Sequence, residues 1–375
     1  MVQKSRYLSW SRHPSKSKPK ACLQYAMWTL AASLSSQFQL LRPDIYTESR
    51  RLLQDLESDE HDALCLEQVQ AWLLLAIYEL TSTTGLYQRG MMSAGRAFCL
   101  VQLMRLSEVD GSGQTSPKST LFGGSGGQGL DDWVETESRR RTFWVAYTID
   151  CLTSVVDGLP LTFHEQQIFT RLPAPDTDFA VGRKVETGFL YEAVNSADAN
   201  KSSTFTHSVL IAALTARILI HKKHSQIIYR KPTASSEIDE SSRLDEFVRK
   251  HQSLRTLLTR HLTALSPRLT SPTDQLEPML VFMILTAYMA ALALFEIIES
   301  RPLDTNTNGQ VTHVTEAIAK EHQQRSLDMV HELCSLVSTL KHVNHFQTHP
   351  FAAIPLFSIA RVCLKHLKHL GADEA

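Results

Sequence analysis

Apolar residues recur at helical spacing along almost the whole chain. From residue 21 onward they form successive stripes with a period near 3.6, and no run of alternating β-branched residues indicates a strand. Proline and glycine fall between the stripes, where they interrupt helices. We therefore predict an all-α fold, an irregular multi-helix bundle of paired antiparallel helices. The predicted helices cover residues 21–42, 44–57, 62–84, 87–106, 131–157, 204–229, 238–265, 274–299, 311–342 and 350–370.

Two polar segments separate these helices. Residues 107–130 are rich in Gly, Ser and Thr and predict a long flexible loop, whereas Pro173–Ser203 carries Pro, Asp and Asn and predicts a partly packed connection. We expect one helical domain over residues 21–370, with two fused halves as the alternative, between a basic disordered tail at 1–20 and a short tail at 371–375.

The Gly-rich segment LFGGSGGQGL matches both G-x-S-x-G and G-x-G-x-x-G. Each of those motifs needs a buried strand directly before it, and the preceding residues SGQTSPKST are loop formers. We therefore interpret the segment as a low-complexity linker, and we predict no catalytic and no cofactor-binding residues there.

The helix predicted over residues 131–157 has the clearest local pattern. Asp131 or Asp132 can cap its first turn, and an apolar stripe through Trp144 widens into a broad buried face. Gly158 then favours the left-handed turn that ends a helix, and a proline two residues later cannot extend it.

Three successive arginines occupy the first half of this helix. Glu135 and Glu137 stand four residues before Arg139 and Arg141, so two ion pairs of about 0.3 kcal/mol each are expected at an exposed surface. Because three consecutive residues sweep about 200° of a helix, the simplest interpretation is a solvated charged face. The alternative is that Arg140 faces protein and needs an acidic or carbonyl partner.

Composition narrows the function classes. The chain of 375 residues has 38 Lys and Arg against 39 Asp and Glu, a net charge of -1, so it lacks the basic surface of a protein that grips nucleic acid. Its six cysteines are widely spaced without a C-x-x-C motif, which is typical of reduced core residues in an intracellular protein. The first residues contain no apolar segment of the kind that a secretory signal needs.

The first 20 residues contain six Lys or Arg and no acid. Lys16, Lys18 and Lys20 are therefore candidates for nucleic-acid or nuclear-import contacts. A solvated tail is the simpler interpretation. The same composition also fits a transit peptide or the end of a linker that begins at an upstream start.

Histidine clusters raise the question of a metal site. The clustered histidines lie among lysines, whose charge repels cations, so we predict surface histidines and no metal site. An enzyme would have to draw acid–base groups from Asp150, Glu192 or these histidines, whose arrangement in space the sequence does not give. The clustered histidines are His221, His224, His342, His345, His349, His366 and His369.

One segment is apolar enough to suggest a membrane. Met279–Phe295 contains only Thr286 and Tyr288 as polar residues and approaches the length of a spanning helix. Its flanks show no Lys/Arg bias and its alanines suit close packing, so we predict a buried central helix. An integral membrane protein that spans through residues 279–298 is the alternative.

The order of these motifs resembles the regulatory, or middle homology, domain of fungal zinc-cluster transcription factors. Val69–Leu80 and Gly90–Leu106 are similar to a Leu/Ala-rich helix and a Gly/Ala-punctuated helix of that family, although Arg105 stands where the family usually has Gly. The next helix is similar to the family's R-R-x-F/W-W…D helix that ends in G-x-P. Its matching residues, which we expect to be structural, are Arg140, Arg141, Trp144, Asp150, Gly158 and Pro160.

The resemblance implies a nuclear transcription regulator of metabolic or biosynthetic genes, including those of secondary metabolism, and no enzyme. Its implied partners are transcriptional co-regulators, a homodimer partner or a small-molecule effector, with no membrane. Family members normally read DNA through an N-terminal binuclear zinc cluster of six cysteines, which these residues lack. Zinc would then belong only to an upstream cluster, and DNA would be contacted indirectly or through that missing module. A helical enzyme is the alternative from another class.

Overall fold

The computed structural model describes residues 1–58, 64–111, 133–196, 203–230, 237–269, 277–299, 324–325, 328–335, 338 and 348–373. Every regular element within these ranges is helical, which confirms the predicted all-α fold. Residues 328–335 are helical as well. The labelled helices are α1 (Lys4–Ser11), α2 (Lys18–Ser33), α3 (Arg42–Glu57), α4 (Leu66–Thr81), α5 (Tyr87–Leu103), α6 (Trp133–Asp157), α7 (Asp176–Val181), α8 (Leu190–Asn195), α9 (Thr204–Arg230), α10 (Glu237–Leu269), α11 (Pro278–Glu299) and α12 (Ala353–Asp373).

Several predicted helix ends differ from those observed. The helix predicted to reach residue 42 ends at Ser33, where the serine hydroxyl donates to the carbonyl of Leu30 at 2.6 Å. Serine side chains compete for backbone groups in this way and disfavour helix continuation, and a 3₁₀ turn follows at Ser36–Phe38. At the other end of the chain, α12 continues to Asp373, past the predicted stop at residue 370.

The single domain predicted over residues 21–370 divides into two compact units. Unit 1 comprises residues 1–153 and 160–210, and unit 2 comprises residues 154–159 and 211–375. The boundaries fall near the end of α6 and within α9, so each of these two helices contributes residues to both units.

Unit 1 is built around α4. This helix packs against α2 and α5, and α2 also packs against α3. Nearly every residue from Gln68 to Leu80 is buried, and Trp72 is fully enclosed. The guanidinium groups of Arg50 and Arg96 lie 5.4 and 5.0 Å from the centre of the Trp72 ring. The apolar run in the sequence therefore marks a helix that is covered on all sides.

A buried carboxylate joins three helices inside this unit. Glu79 on α4 is fully buried, and its Oε1 accepts from the Tyr46 hydroxyl at 2.6 Å and from Arg50 at 2.7 Å. Its other oxygen accepts from the hydroxyl of Ser93 on α5 at 2.6 Å. Partners on every side offset the desolvation of this charge, so the group fixes how α3, α4 and α5 are placed.

Close packing of α4 and α5 depends on Gly90. A Cβ at this position would lie 2.7 Å from the backbone nitrogen of Leu80 and 2.8 Å from its Cγ. Only the absence of a side chain allows the two helices to approach this closely.

Unit 2 has α11 as its central helix, which packs against α10 and α12. Its residues from Leu280 to Phe295 are almost all buried. Two helices, Thr204–Gln226 and Pro278–Ile298, are long and apolar enough to span a membrane by length and composition. In each of them 83% of the apolar window is buried within the protein, as in the core helices of a globular bundle.

The N-terminal residues are folded, contrary to the expectation of a disordered tail over residues 1–20. They form α1 and the start of α2, with the rings of Tyr7 and Trp10 in edge contact at 5.0 Å. Gln3 is buried and donates to the carbonyl of Phe179 at 2.8 Å. A contact across so many residues is not visible in the local charge pattern.

The two segments predicted as linkers are more ordered than expected where they are described. Residues 107–111 pack against the chain near Phe169, whose N–H donates to Ser107 O at 2.7 Å. Residues 112–130 of the predicted flexible loop lie outside the described residues, as do Asp131 and Asp132. The connection after Pro173 contains α7 and α8 and buries Phe179 and Leu190, which extends the predicted partial packing.

The six cysteines are free thiols. Cys22 and Cys151 are buried, as expected for core residues, whereas Cys99 and Cys334 are exposed. Burial raises the pKa of the Cys151 thiol well above its ordinary value. The prediction of core cysteines therefore holds for only part of the set.

Candidate functional site

The arginine triplet of α6 divides into one exposed and two buried side chains. Arg139 is exposed and pairs with Glu135 at 3.0 Å, as expected. Arg140 is only 10% exposed, and its Nε and Nη2 donate to the two carboxylate oxygens of Asp110 at 2.9 and 2.5 Å. A solvated face is therefore the wrong interpretation for Arg140, which has the acidic partner that the alternative required.

Asp110 also binds the chain segment around residue 170. Its Oδ2 accepts the backbone N–H of Arg171 at 2.9 Å, and the N–H of Asp110 itself donates to Phe169 O at 3.1 Å. One carboxylate thus ties α6 to two loop segments that are far apart in sequence.

Arg141 organises the segment before α7. Its Nε donates to Glu137 at 3.0 Å, which confirms the second predicted i,i+4 pair, although both groups are buried. Its remaining nitrogens donate to Ala174 O and to Asp176 Oδ1, each at 2.6 Å, and its guanidinium carbon lies 4.2 Å from the centre of the Phe179 ring. Each of the three guanidinium nitrogens of this buried cation therefore donates to a group of the protein itself.

Trp144 and Asp150 fix the chain that follows α6. The indole Nε1 of Trp144 donates to Arg171 O at 2.7 Å. Asp150 Oδ2 accepts the backbone N–H groups of Thr162 and Phe163 at 2.8 and 2.9 Å, and burial raises the pKa of its carboxyl. One oxygen of this buried carboxylate therefore holds the backbone of residues 162–163 against α6.

Gly158 ends α6 in the predicted manner. Its φ is +69°, in the left-handed region that glycine adopts without strain, and α6 stops at Asp157. Pro160 follows two residues later and marks the return of the chain to unit 1.

The candidate basic contacts do not form one free surface. Lys16 Nζ donates to Ser11 O at 2.7 Å and to the amide oxygen of Gln24. Lys20 Nζ lies 5.9 Å from the centre of the Trp10 ring. Lys18, the remaining candidate, is the first residue of α2. The ammonium groups of Lys16 and Lys20 therefore interact within the N-terminal region.

The histidines are less exposed than expected. His224 is exposed, but His221 is 1% exposed and stacks on Phe247 with ring centres 4.5 Å apart. His349 stacks on Phe282 at 4.3 Å, and burial lowers its pKa to about 4. The prediction of surface histidines is wrong for His221, whereas His349 is half-buried. The side chains of His342, His345, His366 and His369 lie outside the described residues.

Candidate acid–base and metal-ligating groups are dispersed. Across the described ranges, no group of three or more His, Cys, Asp and Glu side chains is placed to hold a metal ion. Glu192 is exposed on α8, and Asp150 binds backbone amides.

Unit 2 contains a cleft between α9, α11, α12 and the end of α6. Its cavity volume is about 130 Å³. Apolar side chains such as Ile218, Met289 and Ile359 form its walls, and Ser358 also lines it. Its charged lining residues are Lys222, Lys223, Arg361 and Glu296. This is a concave, mostly apolar surface with a few polar groups, the usual character of a small-molecule site.

Comparison with known families decides the class of this chain. The sequence profile described as the fungal specific transcription factor domain matches residues 2–266. The chain belongs to this family. Thus the residues in the buried network around α6 lie inside the fungal transcription factor domain, as the resemblance implied.

Curated relatives of this fungal transcription factor domain are named as regulators of biosynthetic genes. The chain is 38% identical over 365 residues to the pigment biosynthesis transcriptional activator pigB of Monascus ruber, in an alignment that covers 96% of the chain and 61% of that protein. It is 35% identical over an alignment of 378 positions to the citrinin biosynthesis transcriptional activator ctnR of Monascus purpureus, covering 100% and 60%. It is 35% identical over 353 residues to the azaphilone cluster-specific transcription factor azaR of Aspergillus niger, covering 92% and 70%.

The chain spans about 60% of the length of the first two of these relatives. No solved structure shows a significant match to it. The family and the relatives are transcription regulators.

Sequence reasoning missed two features of this fungal transcription factor domain. Asp110 falls in the segment predicted as a flexible loop, and only the excess of one arginine over its local acids suggested a distant partner. The cleft of unit 2 was not predicted, because its walls come from helices whose apolar residues are indistinguishable in sequence from ordinary core.

Proposed function

We propose that this chain is the regulatory part of a transcription activator of secondary-metabolite biosynthetic genes. The observation that carries the proposal is the family match over residues 2–266, together with relatives named as biosynthesis activators or as a cluster-specific transcription factor. The placement of the motif residues agrees with it, since Arg141 and Asp150 bind their own backbone and side-chain partners rather than a reaction site.

We further propose that the chain works in the nucleus by contacting other proteins, and that it is not a catalyst. Its net charge of -1 and the internal contacts of Lys16 and Lys20 do not favour direct binding to the phosphate backbone of DNA. Recognition of DNA is therefore assigned to another module, such as a six-cysteine zinc cluster, or to a partner protein.

Deletion of the gene in its source fungus tests the proposed function. We expect transcripts of one biosynthetic gene cluster to fall strongly, since the names of these relatives each refer to one pathway or one gene cluster. Re-expression of the intact gene should restore them. Unchanged transcripts across all biosynthetic clusters under conditions that express the gene would contradict the proposal.

A further inference from the structure

We propose that the cleft of unit 2 is a binding site for an amphipathic organic acid, with an apolar aromatic or aliphatic body and an anionic group. The proposal concerns binding and stands without the proposed function; only the use of such a ligand as a transcriptional effector rests on that function. The cleft lies wholly within unit 2, so its geometry is that of one compact body.

The first support is the apolar interior. Val155, Leu219, Leu292 and Val362 line the cleft together with the three wall residues named above, and they come from four different helices. Such walls favour an apolar ligand body, because binding removes its surface from water. The enclosed space suits a small organic molecule rather than a peptide.

The second support is a buried hydroxyl. Ser358 is 6% exposed and lines the cleft, and its Oγ makes no hydrogen bond to any of the described residues. A buried hydroxyl without a partner costs free energy, and most buried hydroxyls in native proteins are hydrogen-bonded. A carbonyl or hydroxyl oxygen on a ligand body in the cleft would supply the missing hydrogen bond.

The third support is the sign of charge in the lining. Lys222 pairs with Glu296 at 2.7 Å, which neutralises one cation. Lys223 donates to Leu159 O at 2.7 Å and keeps its full charge, because a carbonyl is neutral. Arg361 has no ion pair or hydrogen bond within the described part of the chain. Two positive charges therefore remain beside an apolar cleft, which selects an anion over a neutral or cationic ligand.

Two probes with one aromatic skeleton separate the apolar and anionic contributions. The first is 8-anilinonaphthalene-1-sulfonate, and the second is N-phenyl-1-naphthylamine, which lacks the sulfonate. Titration of the purified 375-residue chain, followed by fluorescence, should show one saturable site for the sulfonate and weaker binding of the neutral amine. A dissociation constant that is equal for the two probes would overturn the assignment of an anionic ligand.

Point variants locate the site. Ala293→Phe places a ring in the cleft and should raise the dissociation constants of both probes at least about tenfold. The double variant Lys223→Gln with Arg361→Gln should raise the dissociation constant of the sulfonate roughly fivefold and leave that of the neutral amine unchanged. The matched control is Arg249→Gln with Lys250→Gln, which removes the same charge from exposed positions on α10 and should change neither probe.

Far-UV circular dichroism and urea unfolding confirm that each variant is folded. If Ala293→Phe does not fold, the comparison of the two charge variants still decides the question, since all four of those substitutions are at polar, cleft-mouth or exposed positions. Equal sulfonate affinity in both charge variants, or binding that does not saturate at one site, would overturn the proposal. Either result leaves the transcriptional role untouched, because these measurements involve no DNA and no reporter gene.

Discussion

Asp110 and Arg140 form a two-point ion pair in which both carboxylate oxygens accept from the guanidinium, at 2.9 and 2.5 Å. The two side chains are 12% and 10% exposed, so little water competes for the contact. The pair joins residues 107–111, which precede the Gly-rich segment, to the first half of α6. Arg140, which the sequence suggested was a solvated surface residue, therefore holds two parts of unit 1 together.

Loss of this pair should destabilise unit 1 strongly. Arg140→Met removes the partner of a buried carboxylate, and we expect the free energy of unfolding to fall by about 3–5 kcal/mol. Arg139→Met is the matched control, since its exposed pair with Glu135 is worth at most about 0.5 kcal/mol. Urea unfolding followed by circular dichroism measures both. Similar midpoints for the two variants would show that Asp110 does not need Arg140.

Alanine substitutions at two glycines of α5 should have opposite effects. Gly90→Ala forces a Cβ against the backbone of Leu80, and we expect about 2 kcal/mol of destabilisation from the displaced helices. Gly95 is exposed, and no atom lies within 4 Å of the place that a Cβ would occupy, so Gly95→Ala should stabilise by up to about 1 kcal/mol through helix propensity. The melting temperatures of the two variants, measured by thermal unfolding, test both expectations. A melting temperature that rises in both variants would contradict the close approach of α4 and α5.

Arg105 provides a test of backbone strain. It is the single non-glycine residue with positive φ in the described ranges, at 51°, and it stands where the family usually has Gly. We expect Arg105→Gly to be more stable than Arg105→Ala by about 1 kcal/mol, because the left-handed region favours glycine. Both variants lose the exposed pair with Glu108, so that contact cancels in the comparison. Greater stability of the alanine variant in urea would mean that the turn is not left-handed.

Protonation of His349 should weaken unit 2 at acid pH. Burial lowers its pKa from 6.5 to about 4 in the folded chain, so the unfolded chain binds the proton more tightly. The stabilisation is complete above pH 6.5 and is lost as the pH falls from 6.5 toward 4. Between about pH 7 and pH 5 the wild type should lose about 1–2 kcal/mol more than His349→Asn, whose side-chain oxygen can still accept the N–H of Phe351.

Urea unfolding of both proteins at the two pH values isolates this effect. His261 also has a pKa of about 4 from burial, but it is present in both proteins and cancels in the difference. Equal losses in wild type and variant would show that His349 is not buried as a neutral ring.

Local sequence signals predicted the helices well, because helical period, capping and stop residues act over one or two turns. The end of α6 shows this: Gly158 has the left-handed backbone that its position required. The pairs Glu135–Arg139 and Glu137–Arg141 were likewise predictable, since residues four apart share one helix face.

Tertiary partners were not predictable by the same means. His221 sits beside two lysines in sequence, yet it faces Phe247 on another helix. Asp110 lies 30 residues before Arg140, so no local spacing connects them. The helix at the N-terminus was missed because its positive charges suggested solvent, while its attachment through Gln3 depends on a carbonyl at residue 179. In each case the deciding contact is distant along the chain.

The proposed function requires that this chain regulate transcription when it is brought to a promoter. To measure this, residues 1–375 are fused to a heterologous DNA-binding domain, and transcript levels of a reporter gene with the matching site are recorded in a fungal host. We expect a reporter level well above that obtained with the DNA-binding domain alone. A reporter level no higher than that of the DNA-binding domain alone, with the fusion intact and nuclear, would contradict it.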